Sequence, residues 1–285
     1  MIIIELTGGL GNQIAQYAYA LLLKESREDI VLFKNFEYLT ESHEYYHLDK
    51  IINVEIPFIS TLPNNLEIFH FFDTNNFIFR VIRKFFFKDI LFFRNLTFNM
   101  HKKLLLKEKN LLVKGFFYSK YESSTVQQRL RSNLLEISSD FEIQNNDCFI
   151  HIRRGDTLNK SVLDIRNSLD TKYYFEAMSI MEKNYEVNKF YFFSDDINWV
   201  KDNFKSEKFI FIENFSDFNS FLLMTKFNNA IVANSTMSQW GSYLSKFKNI
   251  VITPEKVAVK FFNNMYERKV NKILLNANAS KIIEL

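Results

Sequence analysis

Five short apolar runs punctuate the second half of the chain, at residues 148–153, 190–194, 209–212, 230–233 and 250–252, with a helical pattern in the gaps between them. Runs of this length with polar boundaries read as buried strands. Strands that alternate with helices predict a parallel, doubly wound sheet with right-handed crossovers. The first half opens the same way. Residues 1–6 read as a strand, a glycine loop follows, and a helix runs from near Asn12 to Leu22. A second strand at 30–33 completes a βαβ-like unit. Ile14, Tyr17, Ala18, Leu21 and Leu22 recur at three- and four-residue spacing, which places them on one helix face.

A chain of 285 residues is long for one core, and "SSDFEIQNN" (138–146) is polar enough to be a hinge. The expectation is an N-terminal lobe over 1–140 and a C-terminal Rossmann-like lobe over 141–285, whose last helix can pack back on the first. The net charge of +3 is too small to argue for nucleic acid, and no nucleic-acid module accompanies it. A single cysteine, Cys148, excludes an intramolecular disulfide and a cysteine zinc cluster. It fits a reducing compartment, and cytoplasm is the default expectation. No basic segment precedes Ile2, Ile3 and Ile4, unlike a secretory signal. No window offers the roughly eighteen apolar residues of a membrane span.

Between 66 and 110, aromatic clusters alternate with Arg and Lys. The commoner use of such a pattern is a helical core with solvated charges. The sharper one is a peripheral patch at the inner face of the cell membrane.

Ligands of a doubly wound sheet bind outside the carboxyl ends of its strands. Those ends carry "HIRRGD" (151–156), "SDD" (194–196), "EN" (213–214) and "NSTMS" (234–238). Arg153 and Arg154 suit a diphosphate, because each guanidinium stays charged and binds phosphate oxygens two at a time. An Arg-Arg-Asp surface salt-bridge group is the plainer alternative. Ser235 or Thr236 can cap a helix whose apolar face includes Trp240, Tyr243 and Leu244. The start of that helix is either an anion site or only a cap. Asp195 and Asp196 can accept hydrogen bonds from a ribose or a base edge, or cap a helix themselves. No Asp-x-Asp occurs and the histidines lack metal-ligand spacing, so no metal is expected.

The loop in "TGGLGNQIAQYAYA" (7–20) lacks the Lys-Ser or Lys-Thr of a Walker sequence. Gly9 and Gly11 fit part of G-x-G-x-x-G, but Ile14 stands where its third glycine should be. Asn12 and Gln13 bring amides to the helix start, suited to sugar hydroxyls or phosphate oxygens.

Taken in order, "GGLGNQIAQYA", "HIRRGDT", "SDDINWVK" and "NSTMSQWGSYL" resemble the bacterial α-1,2-fucosyltransferases of glycosyltransferase family 11. "GFFYSKY" (115–121) and "LDTKYYFEAM" (169–178) agree with them. The resemblance implies a B-type glycosyltransferase fold, with two Rossmann-like lobes facing a cleft and no metal cofactor. It implies that the C-terminal lobe holds GDP-β-L-fucose and that transfer inverts the anomeric centre. The product would carry an α-1,2 linkage to a galactose-type acceptor, such as a lipid-linked oligosaccharide of a surface glycan. Carried over, His151, Arg153, Arg154 and Asp156 match the donor motif, with the arginines facing the diphosphate. Asn234, Ser235, Thr236 and Ser238 match the loop beneath the phosphates, and Asp195 and Asp196 the acidic motif near the nucleoside. Asn12, with Gly9, Gly11 and Gln13 around it, would approach the reacting sugar. Arg153 is then the first choice for stabilising the leaving GDP. Asp156 either deprotonates the acceptor or orients the arginines.

Four positions depart from the family pattern: Ala15, Thr157, Met237 and Gln239. None removes a charge from the donor site. The rival expectations are a non-catalytic GDP-sugar-binding protein and a transferase using another GDP-sugar.

Overall fold

The opening isoleucines form β1 (Ile2–Leu6), buried at every residue as befits a strand covered on both faces. The computed structural model describes residues 1–34, 48–63, 66, 90–93, 110–115, 117, 124–154, 169–245, 248–254, 256–261, 264–269 and 279–285. The chain divides into two units, Met1–Asn133 and Leu134–Leu285.

In the first unit β1 leads through the glycine loop into α1 (Leu10–Lys24) and β2 (Ile30–Lys34). A 3-10 turn (Leu48–Lys50), the short β3 (Phe58–Ile59), β4 (Ile90–Phe93), β5 (Leu111–Gly115) and α2 (Ser124–Ser132) complete its described elements. The sheet order is β3-β2-β1-β5-β4 with every pairing parallel. Ile14, Tyr17, Ala18 and Leu21 of α1 are buried, but so are Ala15, Gln16, Tyr19 and Ala20. Burial exceeds the expected single face because α1 packs on β1 and β2 and also against α2. Its alanines leave room for that approach.

The second unit runs β6 (Cys148–Ile152), α3 (Thr171–Tyr185), β7 (Phe190–Ser194), α4 (Ile197–Asn203) and β8 (Phe209–Phe211). Next come α5 (Asp217–Met224), β9 (Asn229–Ile231), α6 (Thr236–Leu244) and β10 (Lys248–Thr253). An antiparallel pair, β11 (Lys256–Phe261) and β12 (Asn264–Lys269), precedes β13 (Ala279–Glu284). The main sheet is parallel, in the order β13-β10-β9-β6-β7-β8. Two Rossmann-like α/β units are thus present, as the resemblance implied.

Alternation along β6 divides the second core. Cys148, Ile150 and Ile152 pack with Tyr174, Ala177 and Met181 of α3 and with Val200 and Phe204. Phe149 lies on the opposite face with Leu223, Met224, Phe227 and Val232. Several of the chain's 32 phenylalanines pack here, with Phe192 meeting Phe204, Phe209 and Phe211 at centroid distances of 5.1–5.4 Å. On the other face α5 and α6 approach so closely that a Cβ on Gly241 would lie 2.9 Å from Met224 Cβ.

Two expectations change. The division falls before residues 138–146, because Ile137, Phe141 and Ile143 pack their apolar side chains on the second unit's core. The chain also ends in a strand, β13, where a last helix was expected. Its residues pair in parallel with β10 from Lys248↔Ala279 to Thr253↔Glu284, extending the sheet by one strand. Most of the aromatic and basic stretch 66–110 lies outside the described residues. Among the described residues no helix is long and apolar enough to cross a membrane.

Candidate functional site

Counted within the second unit, β6, β7 and β8 step one way across the sheet, and β9, β10 and β13 step the other. The order reverses between β6 and β9, where a doubly wound sheet opens a crevice at its carboxyl edge. Their register pairs Ile150 with Ile231. Carried three residues further, that register sets Arg153 level with Asn234, so "HIRR" and "NSTMS" leave the sheet on either side of the crevice.

On the other flank, β6 and β7 pair Ile152 with Ser194. The next two positions bring each arginine to a carboxylate. Arg153 Nη1 lies 3.1 Å from Asp195 Oδ2, and Arg154 Nε donates to Asp196 Oδ2 at 3.2 Å. The Arg154 backbone N–H donates to Asp195 Oδ1 at 2.8 Å. Arg154 is also stacked on Trp199, with Cζ 3.6 Å from a ring centroid. Asp196 Oδ1 accepts the Trp199 backbone N–H at 3.2 Å and so caps α4. Asp196 caps α4, and Asp195 and Asp196 are carboxylate partners of the arginines, whereas Asp156 of the same string lies outside the described residues. Arg154 is thereby built into the wall. The Arg153 side chain keeps 31% of its exposure and reaches toward the end of β7.

The start of α6 differs from those of its neighbours. Side chains of Asp170, Asp196 and Ser216 accept backbone N–H groups at the starts of α3, α4 and α5. Ser235, the N-cap of α6, makes no such bond. Ser238 was expected to face a ligand, but it is buried and its hydroxyl donates to the Ser235 carbonyl oxygen at 3.1 Å. Asn234, Ser235 and Thr236 are half-buried. The positive end of a nine-residue helix therefore starts at the carboxyl edge of the same sheet, with no cap bond from the Ser235 side chain.

Beneath them His151 is 4% exposed, and its Nδ1 meets no hydrogen-bond partner among the described residues. Burial, reinforced by the Arg153 charge, lowers its pKa to about 3 and keeps the imidazole neutral. Tyr174 Oη donates to the His151 carbonyl oxygen at 3.4 Å, and Tyr173 Oη to that of Val232 at 2.9 Å. These two hydroxyls tie the first turn of α3 to β6 and to the residue after β9. Burial raises the pKa of both phenols, so they remain donors. Sequence reasoning gave no role to this Tyr pair or to Trp199. The signals were the adjacent tyrosines just after helix-capping Asp170 and a tryptophan three residues after Asp196.

In the first unit β1 lies between β2 and β5, and the glycine loop leaves its carboxyl end. Gly8 has φ 75°, a conformation that favours glycine. Thr7 N–H donates to Gln16 Oε1 at 2.9 Å, and Gln16 Nε2 donates to the Gly115 carbonyl oxygen at 3.1 Å. Gln13, expected to contact the donor, is buried and donates to the Gly8 carbonyl oxygen at 2.8 Å. It shapes the loop from within. Gly9 is the N-cap of α1, with no side-chain cap, and Gly11 is buried in the first turn. Asn12 follows, half-buried. Below them Lys114 Nζ and Glu5 Oε2 form an ion pair of 3.1 Å between neighbouring strands, almost wholly buried.

Asp156, the candidate base, and Thr157 lie outside the described residues. Among the described residues no cluster of three His, Cys, Asp or Glu side chains could hold a metal ion.

Residues 1–273 match the description of glycosyl transferase family 11. An alpha-1,2-colitosyltransferase of Escherichia coli is 28% identical over 276 residues, covering 89% of this chain and 91% of that protein. The O-antigen biosynthesis glycosyltransferase WbnK of Escherichia coli is 26% identical over 289 residues, covering 88% and 93%. Among solved structures, POFUT1 in complex with GDP is similar at a TM-score of 0.48 and 11% identity, over 87% of this chain and 96% of that one.

Proposed function

The chain belongs to glycosyl transferase family 11, and from that premise we propose that this glycosyltransferase moves L-fucose from GDP-β-L-fucose to the 2-hydroxyl of a galactose-type acceptor. One observation carries the donor half of the reading. Arg153 and Arg154 share a topological switch point with a helix start that has no side-chain cap. A diphosphate fits both features, and neither requires a metal ion.

The acceptor 2-hydroxyl oxygen attacks the anomeric carbon as the bond to the β-phosphate oxygen breaks, with inversion, and GDP departs. Sugar and leaving group separate early in such a transition state, so positive charge fixed around the departing phosphate provides much of the catalysis. Arg153 takes that role here, with the amides at the start of α6 beside it. Asn12 is assigned to the reacting sugar. Asp156 deprotonates the acceptor or orients the arginines. The acceptor is an oligosaccharide of a surface glycan built on a lipid carrier at the cytoplasmic face of the membrane, in keeping with the O-antigen assignment of the WbnK relative.

The test is transfer from labelled GDP-fucose to a panel of galactosides with EDTA present, and linkage analysis of the product. An α-1,2-fucoside is the expected result. GDP-fucose bound with neither transfer nor slow hydrolysis would favour a non-catalytic binding protein. The colitosyltransferase relative favours a second reading, in which the sugar is colitose, fucose without its 3-hydroxyl. GDP-colitose outcompeting GDP-fucose in the same assay decides for it.

A further inference from the structure

Asp195 sits where two hydrogen-bonding directions converge. One carboxylate oxygen takes the Arg154 backbone N–H at 2.8 Å, and the other takes Arg153 Nη1 at 3.1 Å. The first contact fixes the chain where it leaves β6. The second fixes the side chain just before it. A guanidinium carries its five N–H donors in one rigid plane, so holding Nη1 determines where the rest of the fork aims.

The neighbouring pair does something different. Arg154 lies flat on Trp199 with Nε on Asp196, and Asp196 also caps α4. That group is a brace between β6 and α4. Asp195 touches the more exposed of the two arginines and keeps 22% side-chain exposure, close enough for its charge to act on whatever Arg153 binds.

We propose that Asp195 is a positioning residue that aims the Arg153 guanidinium at the leaving diphosphate, while its negative charge opposes binding of that anion. The inference rests on the GDP-sugar reading above. Its two effects have opposite signs, which a merely structural role does not produce. Losing the carboxylate relieves repulsion in the ground state and removes the aim that matters in the transition state, so affinity and turnover separate.

Asp195→Asn keeps an oxygen for the Arg154 N–H and removes the charge that holds Arg153. The experiment measures GDP affinity by calorimetry and donor kcat and KM, in wild type, Asp195→Asn, Arg153→Ala and the double variant. Asp195→Ser stands in if the Asn protein is poorly folded by circular dichroism. The expected result is GDP bound as tightly or up to about 5-fold more tightly, with kcat at least about 10-fold lower. The double variant should be no slower than Arg153→Ala alone, because both changes act through one guanidinium. Unchanged kcat, affinity and kcat falling together, or a double variant slower than Arg153→Ala would each overturn the inference and leave the donor reading standing. A wild-type protein that binds no GDP overturns the donor reading, and this inference with it.

Discussion

At the carboxyl end of β1 in the first unit, the loop into α1 is made of glycine and amides, with Gln13 and Gln16 turned inward and Asn12 at the first turn. At the second unit's switch point, the loop into α6 stands beside two arginines paired with two aspartates. Both helices begin without a side-chain cap, so the backbone arrangement is shared and the charge is not. A neutral edge suits hydroxyl groups, which need orientation more than compensation. A charged edge suits phosphate. Each unit supplies a strand end that leads into an uncapped helix, and the side chains there decide what each can recognise.

The sharpest way to break this contrast is Arg153→Ala. Transfer should fall by about 10³-fold with far-ultraviolet circular dichroism unchanged, a loss typical of removing a donor from a developing anion. A variant of normal activity would leave the second edge without its assigned role. Asn12→Ala should lower kcat by about 10- to 100-fold while GDP affinity by calorimetry stays put, as the proposed assignment of the neutral edge to the sugar requires. An equal loss of GDP affinity in both variants would erase the division of labour.

Stability offers finer tests. Gly241→Ala places a methyl group 2.9 Å from Met224 Cβ and should cost about 1–3 kcal/mol through overpacking. Hydrogen exchange should quicken in peptides of the second unit and not in those of the first. A test confined to acid pH concerns His151, whose pKa is about 3 in the folded protein against an ordinary 6.5. Between those values the unfolded chain binds a proton that the folded one refuses. Its contribution is therefore complete above about pH 6.5 and is lost as pH falls towards 3, at up to about 1.4 kcal/mol per pH unit. Exchange of the second unit measured across that range should show the slope, and His151→Gln should flatten it.

Much of the second unit was legible because its strands are short apolar runs with polar ends, and β6, β7, β8, β9 and β10 lie within two residues of their expected places. What stayed hidden was lateral. "HIRR" and "FFSDD" are some forty residues apart, and only the β6–β7 register shows that Arg153 and Arg154 fall beside Asp195 and Asp196. Aligning the two strings by their strand ends would have suggested it. Likewise Gln13 and Asn12 are both amides in the first turn of α1. Burial turned Gln13 back onto Gly8, and composition cannot distinguish the two. The last strand was missed because "SKIIEL" is too short to carry a period.

The chain has two tryptophans, and the fold assigns them opposite duties. Trp240 is sealed in the core, while Trp199 lies against the guanidinium of Arg154. Evolution has therefore left the protein with an internal optical reference and a reporter at its charged edge. Indole emission from the native sequence can follow ligand arrival in real time, with no label attached.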